Sequence, residues 1–296
     1  MGLNTYVAVG NKEDVSDLIT NIAPHETPLL KLAGRGKAAT ETYIEWLEDD
    51  LPAAGANAKV EGAEFGVTDP TPRGRLGNYT QIMAYGYQVT GTQEVVGKYG
   101  LTSEIAYQMR KAMKKLALDQ ERALIVQDSA SAGSAGVARE MGGFPYFVTT
   151  NVLDNNGVGR VVTEELLNDG LQAAWGAGGS PDTVVVSGGN KRLISNWSTN
   201  MNRQMSQTDK KLVRKLDVYE SDFGLVKIIV DRWMPDTDIF LVDSQYIETR
   251  FLRPFKKHDL PKTGDSLKQI LIGELTFVCR AEKAHAIITD LVLTLP

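Results

Sequence analysis

Apolar residues recur at helical spacing through the middle of the chain. Ile105, Met109, Ala112, Met113, Leu116, Ala123 and Leu124 form one stripe, and no Gly or Pro interrupts the stretch between Ser103 and Gln127. The pattern predicts a single helix over residues 102–128, with Thr102 capping its first turn and Glu104 where the helix dipole favours a carboxylate. At about 1.5 Å per residue such a rod is roughly 40 Å long, the length of a strut rather than of an ordinary packing helix. Its other face carries Arg110, Lys111, Lys114 and Lys115. Like charges at i,i+4 cost a few tenths of a kcal/mol per pair unless acidic groups lie against them. A solvated basic face is the plain reading, and a face waiting for an acidic partner is the other.

Elsewhere the period changes to two. Over residues 40–48, Thr42, Ile44 and Trp46 alternate with Glu41, Tyr43 and Glu45. Over residues 79–92, Tyr79, Met83, Tyr85, Tyr87 and Val89 alternate with Thr80, Ile82, Ala84, Gln88 and Thr90. These runs are expected to pair as a long two-stranded projection, tipped by the Ala-, Gly-, Asp- and Pro-rich stretch 49–78. A two-stranded ribbon is marginal alone in water, so its aromatics must be covered by a neighbouring molecule or by an intramolecular sheet. The first 36 residues read as an arm. A short amphipathic helix bears Val15, Leu18, Ile19 and Ile22, and Pro24 and Pro28 then forbid a continuous helix and favour extended backbone.

Beyond the long helix, residues 129–143 form a loop of small residues. Thr163 opens a helix bearing Leu167, Leu171, Ala174 and Trp175, which Gly176, Gly178 and Gly179 end. A strand at 183–187 leads through the Gly188-Gly189 turn to a helix at 191–198 capped by Asn190. Residues 200–214 are a polar surface loop. A hairpin at 218–230 turns at Phe223-Gly224, and a short strand follows at 239–242. Strands at 269–280 and 284–293 are expected to close an antiparallel sheet on which the long helix lies. The class is α+β.

Composition narrows the chemistry. A chain of 296 residues with 42% hydrophobic and 23% charged residues can bury real cores. No apolar run reaches the roughly 18 residues of a membrane span, and no basic and apolar leader opens the chain, so no membrane role is expected and a cytoplasmic origin is. Cys279 is the only cysteine, which removes disulfides and cysteine-rich metal sites. A net charge of -5 argues against a dedicated nucleic-acid binder. The Ser- and Gly-rich loop spells neither a nucleophile elbow nor a phosphate loop. The Asp154-Asn155-Asn156-Gly157 turn lacks the later Glu of a calcium loop, and His25 beside Glu26 has no spaced partner. The strand, Gly188-Gly189 turn and helix are where an enzyme binding a phosphorylated ligand would begin, but the further glycine and ribose-binding acid of a dinucleotide site are missing. No catalytic, cofactor-binding or metal-ligating residue is expected.

The order of parts, together with five stretches, carries a resemblance. They are Asp17-Leu18-Ile19-Thr20-Asn21-Ile22-Ala23-Pro24-His25-Glu26-Thr27-Pro28-Leu29, Gly77-Asn78-Tyr79-Thr80-Gln81-Ile82, Asp222-Phe223-Gly224-Leu225-Val226, Lys262-Thr263-Gly264-Asp265-Ser266 and Gly273-Glu274-Leu275-Thr276-Phe277. With these the chain resembles the major capsid proteins of tailed bacteriophages with the Hong Kong 97 fold. The resemblance implies an N-terminal arm (1–36), an extended loop (37–97), a peripheral domain built on the spine helix (98–160) and completed by return strands (251–296), and an axial α/β domain (161–250). It implies self-assembly into pentamers and hexamers of an icosahedral virion head, built in the bacterial host cytoplasm around double-stranded DNA. A separate scaffolding protein and a portal are implied partners, the former because the arm begins only some dozen residues before its motif. Candidate inter-subunit contacts are Glu41, Glu45, Glu48, Tyr79, Tyr85 and Tyr87 on the loop, with Arg110, Lys111, Lys114 and Lys115 on another copy's helix. Those bases could instead face packaged DNA without reading its sequence. The name-giving member joins a loop lysine to an asparagine of the peripheral domain. Here Lys59 could serve, but no Asn follows Asn202, so non-covalent shells are expected. A cellular cargo-holding compartment of the same fold is the alternative.

Overall fold

The computed structural model describes residues 26–49, 51, 54–62, 64, 66, 72–98, 100–197 and 217–294. The arm helix expected at Val15 to Ile22, His25 and the 200–214 loop lie outside the described residues. In chain order the elements are α1 Pro28–Ala33, β1 Tyr43–Glu48, β2 Gly74–Tyr79, β3 Gln81–Thr90, α2 Gly91–Val95, α3 Glu104–Val126, α4 Phe144–Phe147 and β4 Val152–Leu153. There follow α5 Glu164–Gly176, β5 Thr183–Val186, α6 Gly188–Trp197, β6 Val218–Ser221, β7 Gly224–Val230, β8 Ile239–Val242, β9 Ile247–Asp259, β10 Ser266–Cys279 and β11 Ala286–Ile288.

The long helix α3 starts one residue later than its sequence suggests, with Ser103 in place of Thr102 as the cap. Ser103 Oγ accepts the Ala106 amide at 3.3 Å, and the Glu94 carboxylate of α2 accepts the Ser103 hydroxyl at 2.7 Å and the Glu104 and Ile105 amides at 3.0 and 3.2 Å. A carboxylate on the free amides of a first helical turn complements the dipole. The stripe is fully buried from Ala112 onward, at Ala112, Leu116, Ala123, Leu124 and Ile125, while Ile105 and Met109 in the first two turns are half-buried. Met113, assigned to the same stripe, is 50% exposed and lies off the buried face. At the other end Gly143 donates to Gln127 O at 2.9 Å, and a Cβ there would sit 2.6–2.8 Å from the Ala123, Leu124 and Gln127 carbonyls. Only glycine allows that approach.

Strand pairing departs from the expected long hairpin. β1 pairs antiparallel with β2, from Tyr43↔Tyr79 to Glu48↔Gly74. The chain then changes sheet at Thr80, and β3 pairs with β10 from Gln81↔Leu275 to Thr90↔Ser266 in the order β3-β10-β9. One alternating run thus serves two sheets, because the partner offered to residues 81–90 is a 14-residue strand of the same chain. β9, which the sequence hides behind Arg253, Lys256, Lys257 and His258, is the third strand. The stretch expected as a closing strand at 284–293 also joins a different sheet. A 3-10 turn at Glu282–Ala284 redirects the chain, and β11 enters the six-stranded sheet β4-β11-β8-β5-β7-β6, antiparallel to β8 and parallel to β4.

That sheet separates two cores. Val184, Val186, Ile239, Leu241, Ala286 and Ile288 face α5 and α6, while Val185, Phe240, Val242 and Ile287 face the core shared by α1, α3, α4, β9 and β10. Strands covered on both faces need apolar residues at nearly every position, as β5 has after Thr183 and β8 has throughout. The start of α6 is also corrected: Gly188 and Gly189 are its first turn, Asn190 lies inside it, and Ser187 Oγ accepts the Asn190 amide at 3.2 Å.

Candidate functional site

The residues that the sequence quotes in separate motifs meet where the β1–β2 hairpin leaves the body. Asn78, fully buried at the end of β2, donates through Nδ2 to Gly142 O at 2.9 Å and Phe277 O at 2.8 Å. Its Oδ1 accepts the Gly142 and Tyr79 amides, both at 2.9 Å. Thr80, also fully buried, donates its hydroxyl to Glu274 Oε1 at 2.7 Å, and its amide closes the hairpin on Thr42 O at 2.8 Å. Glu274 is buried in β10 and takes two guanidinium groups as well, Arg253 at 2.9 Å and Arg139. Arg139 Nε in turn holds Thr80 O at 2.6 Å.

The 129–143 loop, expected as a small-residue connection without chemistry, therefore has a task. Its Ser131↔Glu140 and Ser134↔Val137 bridges fold it into a small hairpin that delivers Arg139 to this junction. Burial alone would raise the Glu274 carboxyl. The Thr80 hydroxyl and the two guanidinium groups overcome that and hold it below the usual carboxylate range. What this arrangement does is mechanical: β2, β3, β10, the 131–140 loop and the start of β9's charged half are bolted at one point, which fixes the direction in which the β1–β2 hairpin leaves the body.

The hairpin base is covered by its own chain. Ile44 is buried, and Trp46 packs against the first core with its ring centroid 5.5 Å from that of Phe147. The opposite face is open, with Tyr43, Glu45 and Leu47 exposed. Intramolecular cover thus takes the place of a neighbour on one face of β1, at Ile44 and Trp46, and at Met83 and Val89 of β3. Unpartnered apolar groups remain farther out, where Leu51 is 95% and Val60 80% exposed.

The candidate contact residues scatter across this surface. Glu41 is exposed ahead of β1. Glu45 is engaged within the hairpin, its Oε1 2.6 Å from Arg75 Nη2, and Glu48 is half-buried. Tyr79 stacks on Tyr43 with centroids 4.6 Å apart, Tyr85 is 41% exposed on β3, and Tyr87 is half-buried and donates to Gln269 Oε1 at 2.9 Å. On α3, Lys115 pairs with Asp119 one turn on, and Lys111 Nζ sits 5.8 Å from the Tyr107 ring centre. Arg110 and Lys114 are exposed. Among the described residues no ion pair joins Glu41 or Glu45 to these bases within one chain.

The strand–turn–helix that an enzyme would use is occupied structurally. Ser187 Oγ donates to Asp236 Oδ1 at 2.5 Å while it caps α6, and Asn190 Nδ2 holds Asp236 O at 2.9 Å. Among the described residues no three His, Cys, Asp or Glu side chains are placed to hold a metal ion, and no helix is long and apolar enough to cross a membrane.

A family model described as the SU10 major capsid protein matches residues 2–292. The chain belongs to that family. It is a phage major capsid protein, a component of the virion capsid with the Hong Kong 97 fold. It is 23% identical over 323 residues to the major capsid protein of Escherichia phage Phieco32, covering 92% of each chain. The capsid asymmetric unit of cyanophage A-1(L) superposes with a TM-score of 0.70 at 14% identity, over 97% of this chain and 98% of that one. The SrpI encapsulin of Synechococcus elongatus shares the fold with a TM-score of 0.60 at 11% identity, over 97% and 94%. In this capsid protein the residues missed as individuals are Asn78, Thr80, Arg139, Arg253 and Glu274. Asn78, Thr80 and Glu274 sit inside quoted motifs, so the signal was present as a string without its chemistry. Arg139 and Arg253 gave no local signal, since only folding brings them to Glu274.

Proposed function

We propose that copies of this capsid protein assemble into pentamers and hexamers of an icosahedral head, using the segment beyond the β1–β2 hairpin as the inter-subunit strap. The observation that carries this reading is a hairpin whose base is bolted by buried polar contacts while its outer stretch presents Leu51 and Val60 to solvent. Apolar side chains left uncovered beyond an anchored base are available to bury against a second copy. The acids Glu41, Glu45 and Glu48 and the tyrosines Tyr79, Tyr85 and Tyr87 flank the strap, and the exposed bases Arg110, Lys111, Lys114 and Lys115 of another copy are their electrostatic complement. Each contact is modest, and the closed shell persists because many act together. The division into an arm (1–36), an extended loop (37–97), a peripheral domain (98–160 with 251–296) and an axial domain (161–250) belongs to the same reading.

Within it, the shell encloses double-stranded DNA contacted without sequence readout, is built in the host cytoplasm with a scaffolding protein and a portal, and carries no catalytic activity. Cross-linking of shells made from an equal mixture of isotopically light and heavy subunits tests the strap. Mixed-label links between residues 51–62 and α3 support the reading, and exclusively same-label links reject it. A cellular cargo compartment is the second reading, favoured by the shared fold of the encapsulin. Purified particles holding a protein cargo in place of DNA would decide for it.

A further inference from the structure

Away from the hairpin base, a second buried junction ties three distant parts of the chain together. Glu121 of α3 is fully buried and spends both carboxyl oxygens on the first turn of α1, accepting the Leu29 amide on Oε1 and the Leu30 amide on Oε2, each at 2.7 Å. Pro28 at the helix start has no amide to offer, so Glu121 serves the two that come next. Asp231, which follows β7 and is 1% exposed, lies within hydrogen-bond reach of that carboxyl. Its amide donates to Val186 O at 2.9 Å, which fixes it to β5, and its Oδ1 accepts the Trp233 amide at 2.9 Å. Its Oδ2 is buried and meets no donor.

Two carboxyl groups that face each other out of water cannot both be ionised at low cost. Charged neighbours do not relieve them. On the α1 side, Lys31 is exposed and Glu26 pairs with Arg232 across 3.9 Å. On the Asp231 side that same Arg232 points to solvent, and Arg122 of α3 is exposed. Among the described residues no basic side chain bonds to either carboxyl. A proton on Glu121 relieves the pair, since it gives Asp231 a donor and removes one of the two charges.

We propose that a proton held on Glu121 and donated to Asp231 is a latch that clamps α1 to α3 and to the β5–β7 end of the six-stranded sheet, and that losing this proton loosens α1. The latch depends on the subunit alone and not on the assembly reading. Burial first, and Asp231 second, push the Glu121 carboxyl up to about 8, against the pull of the Leu30 and Leu29 amides. A carboxyl freed into water titrates near 4.3. The closed form therefore holds a proton that the opened form gives up, and the latch is fully favoured below about pH 4.5 and spent by about pH 8.

The test is hydrogen exchange at the Leu29 and Leu30 amides in the full-length unassembled protein, corrected for intrinsic rates, from pH 5.5 to 9. One linked proton predicts that protection falls about tenfold per pH unit up to about pH 8 and then levels. In Asp231→Asn the side-chain amide donates permanently to Glu121, so protection should be flat over the same range. A flat wild-type profile, or an Asp231→Asn slope equal to wild type, overturns the latch. Should Asp231→Asn fail to fold, infrared spectra of wild type decide. A protonated-carboxyl band that moves on labelling with isotopic glutamate or aspartate must be present at pH 7 and disappear above about pH 8, and its absence at pH 7 overturns the proposal.

Discussion

Asn78→Ala is the sharpest single cut at the hairpin base. The native side chain is fully buried and makes four hydrogen bonds, to Gly142 O, Phe277 O, the Gly142 amide and the Tyr79 amide. Three of these reach across at least 64 positions of sequence, so no local rearrangement of β2 replaces them. Alanine leaves one amide and two carbonyls of the 142 and 277 backbone in a closed site. A net hydrogen bond is worth about 1 kcal/mol and a stranded buried group costs about 1–3, so the expected loss is about 3–5 kcal/mol. That is a large part of the roughly 5–15 kcal/mol a domain possesses. Urea unfolding of the unassembled subunit measures it. Asn78→Asp should do at least as badly, because a carboxylate oxygen then faces both carbonyls. A loss below about 1 kcal/mol for Asn78→Ala would mean that water or a backbone shift satisfies those groups, and that the junction does not direct the hairpin.

Other outcomes follow from the same geometry. His285 is fully buried with Nδ1 accepting the Asp243 amide at 3.1 Å, and burial pushes its imidazole down to about 4. NMR should show the ring neutral until about pH 4, and because the unfolded ring protonates near 6.5, about 3 kcal/mol of stability is lost as pH falls through that window. A ring that titrates near 6.5 in the folded protein would contradict this. Burial pushes the Cys279 thiol far up, so iodoacetamide should leave it unmodified in the native protein and react within minutes in urea. Reversing Lys114 and Lys115 to Glu should leave the subunit's urea midpoint unchanged, since both are exposed. If the bases meet another copy's loop, empty shells fail to form; a defect confined to filled particles assigns the bases to DNA. Lys59 is exposed, yet boiling in SDS should release monomers without a ladder.

Periodicity made the longer helices and several strands legible, but not α1, α2, α4 or β2, and Pro28 opens a helix where extended backbone was expected. α3, α5, β1, β5 and β8 each carry a local pattern that burial merely enforces. What the pattern could not show was which strand pairs with which. Residues 79–90 alternate without a break, and nothing local marks Thr80 as the point where the chain leaves one sheet for another. That change is imposed by Glu274 and Arg139, both far away in sequence. β9 was hidden for the opposite reason, because an edge strand half exposed to water tolerates Arg253, Lys256 and Lys257 and loses its apolar signature. The buried stripe of α3 was overextended at Met113, since helical spacing identifies a face without saying how far the body reaches beneath it. Glu121 and Asp231 carry no local signal in the sequence, and only folding places them together.

Cryo-electron microscopy of particles formed by the full-length chain, expressed with its own head-assembly partners, tests the central claim most directly. The expected result is closed icosahedral shells in which residues 51–62 of each copy lie across α3 of an adjoining one, burying Leu51 and Val60. Shells in which that stretch folds back on its own subunit, or a preparation that stays monomeric, would contradict it.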